Sequence, residues 1–358
     1  MGNANLNGEM AAAVYRGRGV VKVETLPRPQ IGPGELLVRV QACGICHTDL
    51  KKITDDLLPP PRIYGHETAG QVAAVGAGAD GFRQGDRVAV FHHIPCRDCF
   101  YCRQRLYAQC ETYKRVGVTA GYEPAGGGFA QYVRVMDWIV RNGVVRIPEG
   151  VSWDRACFVE PVNTCLKAVM KCQIQGGETV LVLGQGPIGL LFTMLLVGRG
   201  AAVYAAEPLA SRREAARRLG ARLVWDPGTE DPAPQIRAST GGRGADVVIV
   251  AAAGAGLVEQ AVRLSRPGAR ILLFAQTSPR ERIELDGACI CAQERTLLGC
   301  YSADIELQEE SARLVLDGDL PVENLISHRL PLHQIEEGIR LAIDKRQDAL
   351  KIIVHPQR

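Results

Sequence analysis

The spacing of apolar and polar residues divides the chain into two regions with different hydrophobic patterns. Up to about residue 150, short runs rich in β-branched residues alternate with clusters of glycine, proline and aspartate. This pattern predicts a β-rich region with frequent turns. The clearest strand candidates are residues 35–40, 71–75 and 87–91. A helical pattern follows over residues 155–171.

From residue 179 onwards, apolar strands and amphipathic helices alternate. Near-continuous apolar strands separated by helices predict a parallel sheet covered on both faces, which is a doubly wound α/β fold. The alternation stops after residue 298, and the tail to residue 358 is too short for a core of its own. We therefore expect one domain from residues 1–162 with 300–358, and a second from residues 163–299. The predicted strands are 179–183, 201–206, 246–251 and 270–275, and the predicted helices are 187–199, 211–219 and 257–264.

Composition and charge narrow the classes of function. The 358 residues are 46% hydrophobic and 23% charged, with 42 basic against 39 acidic side chains, as in ordinary globular proteins. A formal charge of +3 gives no global field for nucleic acid or a membrane surface. No apolar signal segment opens the sequence, and the most apolar window, residues 179–197, is interrupted by glycine and proline. We expect a cytoplasmic protein with reduced cysteines and neither nucleic-acid nor membrane partners.

A glycine-rich hexapeptide stands where the first strand of the second region passes into a helix. Its residues are Gly184, Gln185, Gly186, Pro187, Ile188 and Gly189. The first glycine allows a tight turn, the second lets the backbone approach a pyrophosphate, and the third lets helix and strand pack closely. Free amides at the start of the helix would receive the phosphates. The motif predicts a dinucleotide site, the alternative being an ordinary loop of an α/β domain.

An acidic residue, Glu207, ends the next predicted strand. Its carboxylate would accept hydrogen bonds from the adenosine ribose hydroxyls and would repel a 2′-phosphate. NAD is therefore favoured over NADP. Arg212 and Arg213 follow closely and could neutralise a phosphate, so NADP stays the second choice.

Four cysteines form a compact array between the strand candidates of the first region. Cys96, Cys99, Cys102 and Cys110 are spaced C-x2-C-x2-C-x7-C. Four thiolates at such spacing can enclose a tetrahedral zinc ion and leave no open position, which indicates a structural site. Zinc would replace a hydrophobic core in a lobe of about residues 92–114. A redox pair or an iron–sulfur cluster is the alternative.

Two further segments complete a recognisable order: GICHTD at residues 44–49 and GHE at residues 65–67. Together with the four cysteines, the EP at residues 160–161 and the glycine-rich hexapeptide, they resemble the zinc-containing medium-chain dehydrogenase/reductase superfamily over nearly the full length. The resemblance implies a GroES-like catalytic domain and a Rossmann cofactor domain. It also implies two zinc ions per subunit and assembly as a homodimer or homotetramer.

The resemblance also implies the catalytic residues. The cysteine of GIC and the histidine of GHE, here Cys46 and His66, would bind a catalytic zinc. Simple alcohol dehydrogenases add a second cysteine, where this chain has Glu160, as in the polyol (sorbitol) and threonine dehydrogenases. That branch points to Glu67 as the third ligand, with Glu160 a ligand or a water-mediated partner. Thr48 resembles the family's proton-transferring hydroxyl.

The residues that would support the zinc ligands and carry the proton away follow from the same resemblance. Asp49 would orient one of the zinc ligands. Many relatives have a histidine shortly after the TD pair, whereas Leu50, Lys51 and Lys52 stand here. The end of the proton relay is therefore left open.

The chemistry that follows is metal-assisted hydride transfer. Zinc would act as a Lewis acid on an alcohol oxygen, and the nicotinamide would accept the hydride. The favoured function is oxidation of a secondary alcohol, polyol or sugar-like, with NAD. The alternatives are an L-threonine 3-dehydrogenase, a simple alcohol dehydrogenase, or a non-catalytic protein that binds zinc and nucleotide.

Overall fold

A computed structural model describes residues 8–115, 126–254, 256–275, 282–344 and 348–358. The chain divides into two compact units, one of Met1–Asn163 with Ala303–Arg358 and one of Thr164–Ser302. Among the described residues, no helix combines the length and the apolar character needed to span a membrane.

The strands of the described ranges are β1 (Glu9–Gly17), β2 (Val20–Pro27), β3 (Leu36–Gly44), β4 (Arg62–Ile63), β5 (Glu67–Val75), β6 (Arg87–Val90), β7 (Tyr132–Val135), β8 (Val144–Arg146), β9 (Thr179–Leu183), β10 (Ala202–Ala206), β11 (Leu223–Trp225), β12 (Ala245–Val250), β13 (Ser265–Leu273), β14 (Thr296–Gly299), β15 (Ile326–Pro331) and β16 (Lys351–His355).

The helices of the same ranges are α1 (His47–Thr54), α2 (Phe100–Arg103), α3 (Glu111–Arg115), α4 (Asp137–Gly143), α5 (Trp153–Ala156), α6 (Val159–Lys171), α7 (Pro187–Gly198), α8 (Ala210–Arg218), α9 (Ala233–Ser239), α10 (Leu257–Leu264), α11 (Gly287–Ile290), α12 (Gln308–Leu316) and α13 (Ile335–Ile343). Short 3-10 turns at Tyr107–Gln109, Ile305–Leu307, Val322–Leu325 and Leu332–Gln334 complete the described elements.

The first unit is built on two sheets. The larger has the order β15-β16-β3-β5-β6-β8, with β7 also paired to β3, and the smaller has the order β2-β1-β4. All these pairs are antiparallel except β15 with β16. Alternating apolar side chains of β3, such as Leu36, Val38 and Val40, are buried in the core of this unit.

Strand pairing in the larger sheet brings three distant segments together. Gly44, the last residue of β3, is opposite Glu67, the first residue of β5. On its other side Gly44 is opposite Ile353 of β16. The GIC segment, the GHE segment and the start of the last strand therefore meet at one end of the sheet.

The second unit contains a six-stranded parallel sheet with the order β11-β10-β9-β12-β13-β14. The residues of β9 and β10 are all buried, which explains why their sequences are continuously apolar. Parallel strands with crossover helices form a Rossmann-type sheet, and the predicted doubly wound fold is confirmed. Its core gathers buried side chains such as Leu181, Trp225 and Val248.

Three local predictions differ from the structure. The helix expected over 155–171 is two helices, α5 and α6, separated by a turn at residues 157–158. Strand β13 spans Ser265–Leu273 instead of the predicted 270–275, because Ser265 already pairs with Ala245 before the register shifts. Strand β11 and helix α9 were not predicted, because the three-residue strand gives too short an apolar signal.

Candidate functional site

A thiol, an imidazole and a carboxylate converge in the first unit. The potential ligand atoms of Cys46, His66 and Glu67 all lie within 4.8 Å of one another. Cysteine sulfur, histidine nitrogen and glutamate oxygen are all established ligands of zinc, and three protein ligands leave one position open. The donor set therefore fits a catalytic zinc ion.

Helix α1 fixes two of these three residues through one carboxylate. Cys46 is the N-cap of α1, and its backbone N–H donates to Asp49 Oδ2 at 3.3 Å. The other oxygen of Asp49 lies 3.0 Å from His66 Nδ1. This contact orients the imidazole and directs its Nε2 away from Asp49, as is typical of metal-binding histidines.

The charges of Asp49 and His66 support each other. Burial lowers the pKa of His66, but the carboxylate of Asp49 and the sulfur of Cys46 outweigh it, so the pKa lies well above its usual value. Burial raises the pKa of Asp49, and the neighbouring His66 reverses the effect and holds that pKa below its usual value. A proton on His66 therefore competes with a metal ion for the imidazole nitrogen.

A lysine from the last strand forms an ion pair with Glu67, the third residue of the group. Lys351 Nζ lies 2.7 Å from both carboxylate oxygens of Glu67, and the two side chains are 5% and 1% exposed. The carboxylate of Glu67 also packs against Gly44, where any Cβ would collide with Glu67 Oε2. The glycine of the GIC motif is thus required because the carboxylate occupies the space of a side chain.

Burial and mutual charge shift the pKa values of three neighbouring side chains, Glu67, Glu160 and Lys351. Burial raises the pKa of Glu67, and this effect outweighs the opposing charge of Lys351. Burial likewise raises the pKa of Glu160, although His66 and Lys351 oppose it. Burial lowers the pKa of Lys351, and the charge of Glu67 raises it above its usual value. A divalent cation among these carboxylates would offset the cost of their burial.

Glu160 has a different set of contacts from the other three residues. It is not a member of the group whose ligand atoms converge. Its Oε1 lies 2.7 Å from His93 Nε2, and His93 Nδ1 lies 2.7 Å from the hydroxyl of Tyr113. The structure therefore places Glu160 in a network with the buried His93 and the half-buried Tyr113, beside the group rather than in it.

A third histidine, His92, lies against the same cluster. Its ring centroid is 5.4 Å from that of His66 and 4.1 Å from that of His93. His92 Nδ1 is a buried nitrogen without a hydrogen-bond partner in the described structure. Burial, with His93 and His66 close by, keeps the pKa of His92 well below its usual value. His92 is thus held neutral with one ring nitrogen available.

Thr48 lies in the first turn of α1, two residues after Cys46, and is half-buried. Lys51 and Lys52, which follow the TD pair, are also half-buried on α1. Lys52 Nζ is 5.9 Å from the centroid of the Tyr64 ring.

The four cysteines of the lobe form a second convergent group. The sulfur atoms of Cys96, Cys99, Cys102 and Cys110 all lie within 4.8 Å of one another. Cys102 Sγ is 3.6 Å from Cys99 Sγ and 3.8 Å from Cys96 Sγ. A zinc tetrahedron with bonds of about 2.3 Å has edges of about 3.8 Å, so the spacing fits four thiolates around zinc.

The backbone of the lobe prepares one of these thiols for metal binding. The N–H groups of Asp98 and Cys99 lower the pKa of Cys96 to about 6. A thiol with this pKa is largely ionised at neutral pH, and the thiolate is the form that binds metal.

The glycine-rich loop adopts the geometry that its sequence predicts. Gly184 follows β9 with φ +96°, a conformation that favours glycine. Gly186 is the N-cap of α7, Pro187 is its first residue, and Ile188 follows. A side chain on Gly189 would collide with the carbonyl oxygen of Gly184, so the third glycine allows the close packing of helix on strand. The open side of Gly186 faces the guanidinium of Arg212, 3.8 Å from the position of a Cβ.

Glu207 is buried beside this loop and has fixed partners. Its Oε2 accepts from the backbone N–H of Gln185 at 2.7 Å, and its Oε1 accepts from that of Leu209 at 3.1 Å. The carboxylate thus lies next to the loop that would receive a pyrophosphate, as a ribose-binding acid requires. The glycine-rich loop, the N-terminus of α7 and the carboxylate of Glu207 together fit a dinucleotide.

Sequence reasoning missed three side chains of the metal-binding region. His92 and His93 follow β6 at the start of the cysteine lobe, and a pair of adjacent histidines there was an available signal. Lys351 begins an otherwise apolar run, and a lysine at that position resembles an ordinary strand end. Only the pairing of β16 with β3 brings it to Glu67.

Two protein-family models match the chain. The alcohol dehydrogenase GroES-like domain matches residues 32–149, and the zinc-binding dehydrogenase domain matches residues 187–317. The matches confirm the classes of fold expected for the two regions.

Similar proteins cover almost the whole chain. A sorbitol dehydrogenase of Bacillus subtilis (strain 168) is 30% identical over 357 residues, which is 98% of each chain. An L-threonine 3-dehydrogenase of Pyrococcus abyssi is 32% identical over 320 residues, 87% of this chain and 88% of that protein. A crystal structure from Sinorhizobium meliloti 1021, described as a zinc-binding dehydrogenase bound to NADP, has a TM-score of 0.88 at 29% identity. It covers 98% of this chain and 100% of its own.

Proposed function

Because the chain belongs to the zinc-containing medium-chain dehydrogenase/reductase family, we propose that it is a zinc-dependent dehydrogenase of a polyol or sugar-like secondary alcohol. The observation that carries the proposal is the convergence of Cys46, His66 and Glu67, in which a carboxylate accompanies one thiol and one imidazole. Bound zinc supplies the Lewis acidity that lowers the pKa of a substrate hydroxyl.

The roles of the chain's own residues follow from their contacts. Cys46, His66 and Glu67 hold the metal, and Asp49 keeps the first two in position. Glu160 does not hold the metal directly, since its carboxylate is hydrogen-bonded to His93. Thr48, whose hydroxyl lies in the first turn of α1 next to the ligand Cys46, passes the substrate's hydroxyl proton outward: its oxygen accepts that proton as its own hydroxyl proton leaves toward solvent.

We propose NAD as the hydride acceptor. When bound, its nicotinamide supplies the redox chemistry that no side chain can provide. The N–H groups at the start of α7 hold its pyrophosphate, and Glu207 binds the adenosine ribose. The Sinorhizobium protein was crystallised with NADP, so the preference rests on Glu207 of this chain rather than on that likeness.

The four-cysteine lobe holds a structural zinc in this proposal. Its closed all-thiol donor set leaves no position for a substrate. The two units therefore have separate roles in this proposal. The unit of Met1–Asn163 and Ala303–Arg358 carries the metal chemistry, and the unit of Thr164–Ser302 binds the dinucleotide.

The deciding experiment measures NADH appearance with a panel of polyols, sugar acids, L-threonine and simple alcohols. We expect turnover of one polyol-class substrate, sensitive to a chelator and abolished by C46S or H66A, with NADH binding retained. C291S makes the same chemical change at an exposed cysteine and should leave turnover unchanged.

The panel also separates the competing functions. Preference for L-threonine would make the chain a threonine dehydrogenase, and preference for ethanol a simple alcohol dehydrogenase. Zinc and NADH binding without turnover of any substrate would favour a non-catalytic binding protein. Homo-oligomeric assembly and a cytoplasmic location stay predictions, to be tested by light scattering and cell fractionation.

A further inference from the structure

Two acidic residues occupy neighbouring backbone positions at the carboxyl-terminal edge of the parallel sheet. Ala206, the last residue of β10, is in register with Trp225, the last residue of β11. Glu207 and Asp226 follow these residues directly, and the N–H of Glu207 donates to the carbonyl of Trp225 at 3.2 Å. Carboxyl ends of parallel strands form the edge at which dinucleotides bind.

An arginine of the following helix is held between these two positions. Arg213 Nη1 lies 3.0 Å from Asp226 Oδ2, and it donates to the carbonyl oxygens of Glu207 and Pro208 at 2.8 and 2.6 Å. The side chains of Arg213 and Asp226 are 17% and 23% exposed. The ion pair is thus only partly screened by solvent.

An arginine at this edge is the group that would be expected to bind a 2′-phosphate, because guanidinium groups form charge-assisted pairs with phosphate. Here the guanidinium is already used by one carboxylate and two carbonyl groups. Its charge is neutralised where a 2′-phosphate would need it.

We propose that Asp226 is a specificity residue for the cofactor, which withholds Arg213 from a 2′-phosphate and so reinforces the exclusion of NADP by Glu207. The inference rests on the proposed function, because it requires the dinucleotide to bind at this edge. The ligand class is a dinucleotide with a free ribose 2′-hydroxyl. Asp226 acts through Arg213 and is therefore a positioning residue.

The test measures direct binding of NADH and NADPH to the zinc-loaded full chain by nicotinamide fluorescence. Glu207→Gln provides the background, because it removes the repelling charge and keeps an oxygen for the loop amides. Asp226→Asn is then added. Asparagine keeps the oxygen that accepts from the N–H of Gly228 at 2.9 Å.

The matched control is Asp246→Asn in the same background. Asp246 pairs with Arg266 at 2.6 Å, the two side chains are 25% and 27% exposed, and the change in net charge is the same. It is the second residue of β12 and so lies at the opposite, amino-terminal edge of the parallel sheet.

We expect D226N to raise the affinity for NADPH about five- to tenfold over E207Q alone, the scale of one partly screened charge-assisted bond. The affinity for NADH should change less than about twofold, and D246N should leave the ratio of the two affinities unchanged. Adding R213Q to E207Q/D226N should return NADPH binding to the E207Q value.

An equal effect of D226N and D246N on the ratio, with NADH still bound, overturns this inference and leaves the proposed function standing. Failure of the wild type to bind either dinucleotide overturns both. If D226N does not fold, R213Q in the E207Q background replaces it. The proposal requires R213Q to leave NADPH affinity unchanged there, and a loss of affinity contradicts it.

Discussion

At the scale of single residues, the buried pair of Lys351 and Glu67 shows how the metal-free site is kept stable. Breaking a buried ion pair leaves an uncompensated charge and costs about 3–5 kcal/mol. We expect K351M to destabilise the metal-free protein by that amount. The loss should be smaller in the zinc-loaded protein, because the cation then compensates Glu67. Urea unfolding of both forms measures the difference.

Lys22→Met is the control for this prediction, since Lys22 is an exposed lysine on β2. It should change stability by less than about 0.5 kcal/mol in either form. An equal loss for K351M with and without zinc would show that Glu67 is not shared between the lysine and the metal.

The same pair marks the limit of sequence reasoning at this scale. Cys46, His66 and Glu67 could be predicted because each belongs to a short motif whose order is characteristic. Lys351 could not, because its partner is 284 positions away and the two meet only through sheet pairing. Glu160 was expected as a ligand or a water-mediated partner, and no local signal revealed that His93 would engage its carboxylate.

At the scale of elements, the first turn of α1 holds Cys46 and His66 in position through the carboxylate of Asp49. D49N would weaken the contact to His66 Nδ1 and to the N–H of Cys46 while keeping the shape of the side chain. We expect zinc affinity at this site to fall about 10- to 100-fold, the usual effect of losing such a partner. Competition with a chromogenic chelator measures it.

Asp55→Asn makes the same change at the exposed C-cap of the same helix. Its zinc affinity should equal that of the wild type. A D49N protein that also binds zinc normally would remove Asp49 from the metal site.

The proposed structural zinc makes a testable prediction for the cysteine lobe. Its helices α2 and α3 have four and five residues, which is too short to be stable alone. We expect C99S to lose one zinc equivalent and to expose the lobe to proteolysis. The site of Cys46, His66 and Glu67 should still bind its zinc ion. Metal analysis and limited digestion test this, and C291S is again the control.

A C99S protein with full zinc content and unchanged digestion would contradict a structural zinc in the lobe.

Elements differ in how far sequence determines them. Strand β9 and helix α10 were predicted at their observed bounds because their apolar pattern is complete within the segment. The break between α5 and α6 and the early start of β13 were not predicted. Both depend on what the segment packs or pairs with, such as the pairing of Ser265 with Ala245.

At the scale of the whole molecule, ion pairs between distant segments make stability depend on pH. Glu35 pairs with Arg134 and accepts from the N–H of Gly32. Burial raises the pKa of Glu35, but these partners outweigh it and hold the pKa below its usual 4.5. This contribution is therefore complete above about pH 4.5 and disappears as the pH falls through the lower folded value.

We expect E35Q to be about 1–2 kcal/mol less stable than the wild type at neutral pH, as for a charge-assisted bond. The difference should shrink as the pH falls below 4.5. Denaturant unfolding from neutral pH to about pH 3 tests this. E9Q, at the exposed start of β1, is the control. A difference that stays constant over the range would assign the loss to packing instead of charge.

The first unit takes its residues from both ends of the chain, with Ala303–Arg358 completing what Met1–Asn163 begins. On the ribosome, the unit of Thr164–Ser302 is therefore finished while the first unit is still missing β15 and β16. Nascent chains generally fold unit by unit as they emerge. A chain stalled before residue 351 would present Glu67 without its lysine. We therefore expect loading of the catalytic metal to follow release of the finished polypeptide.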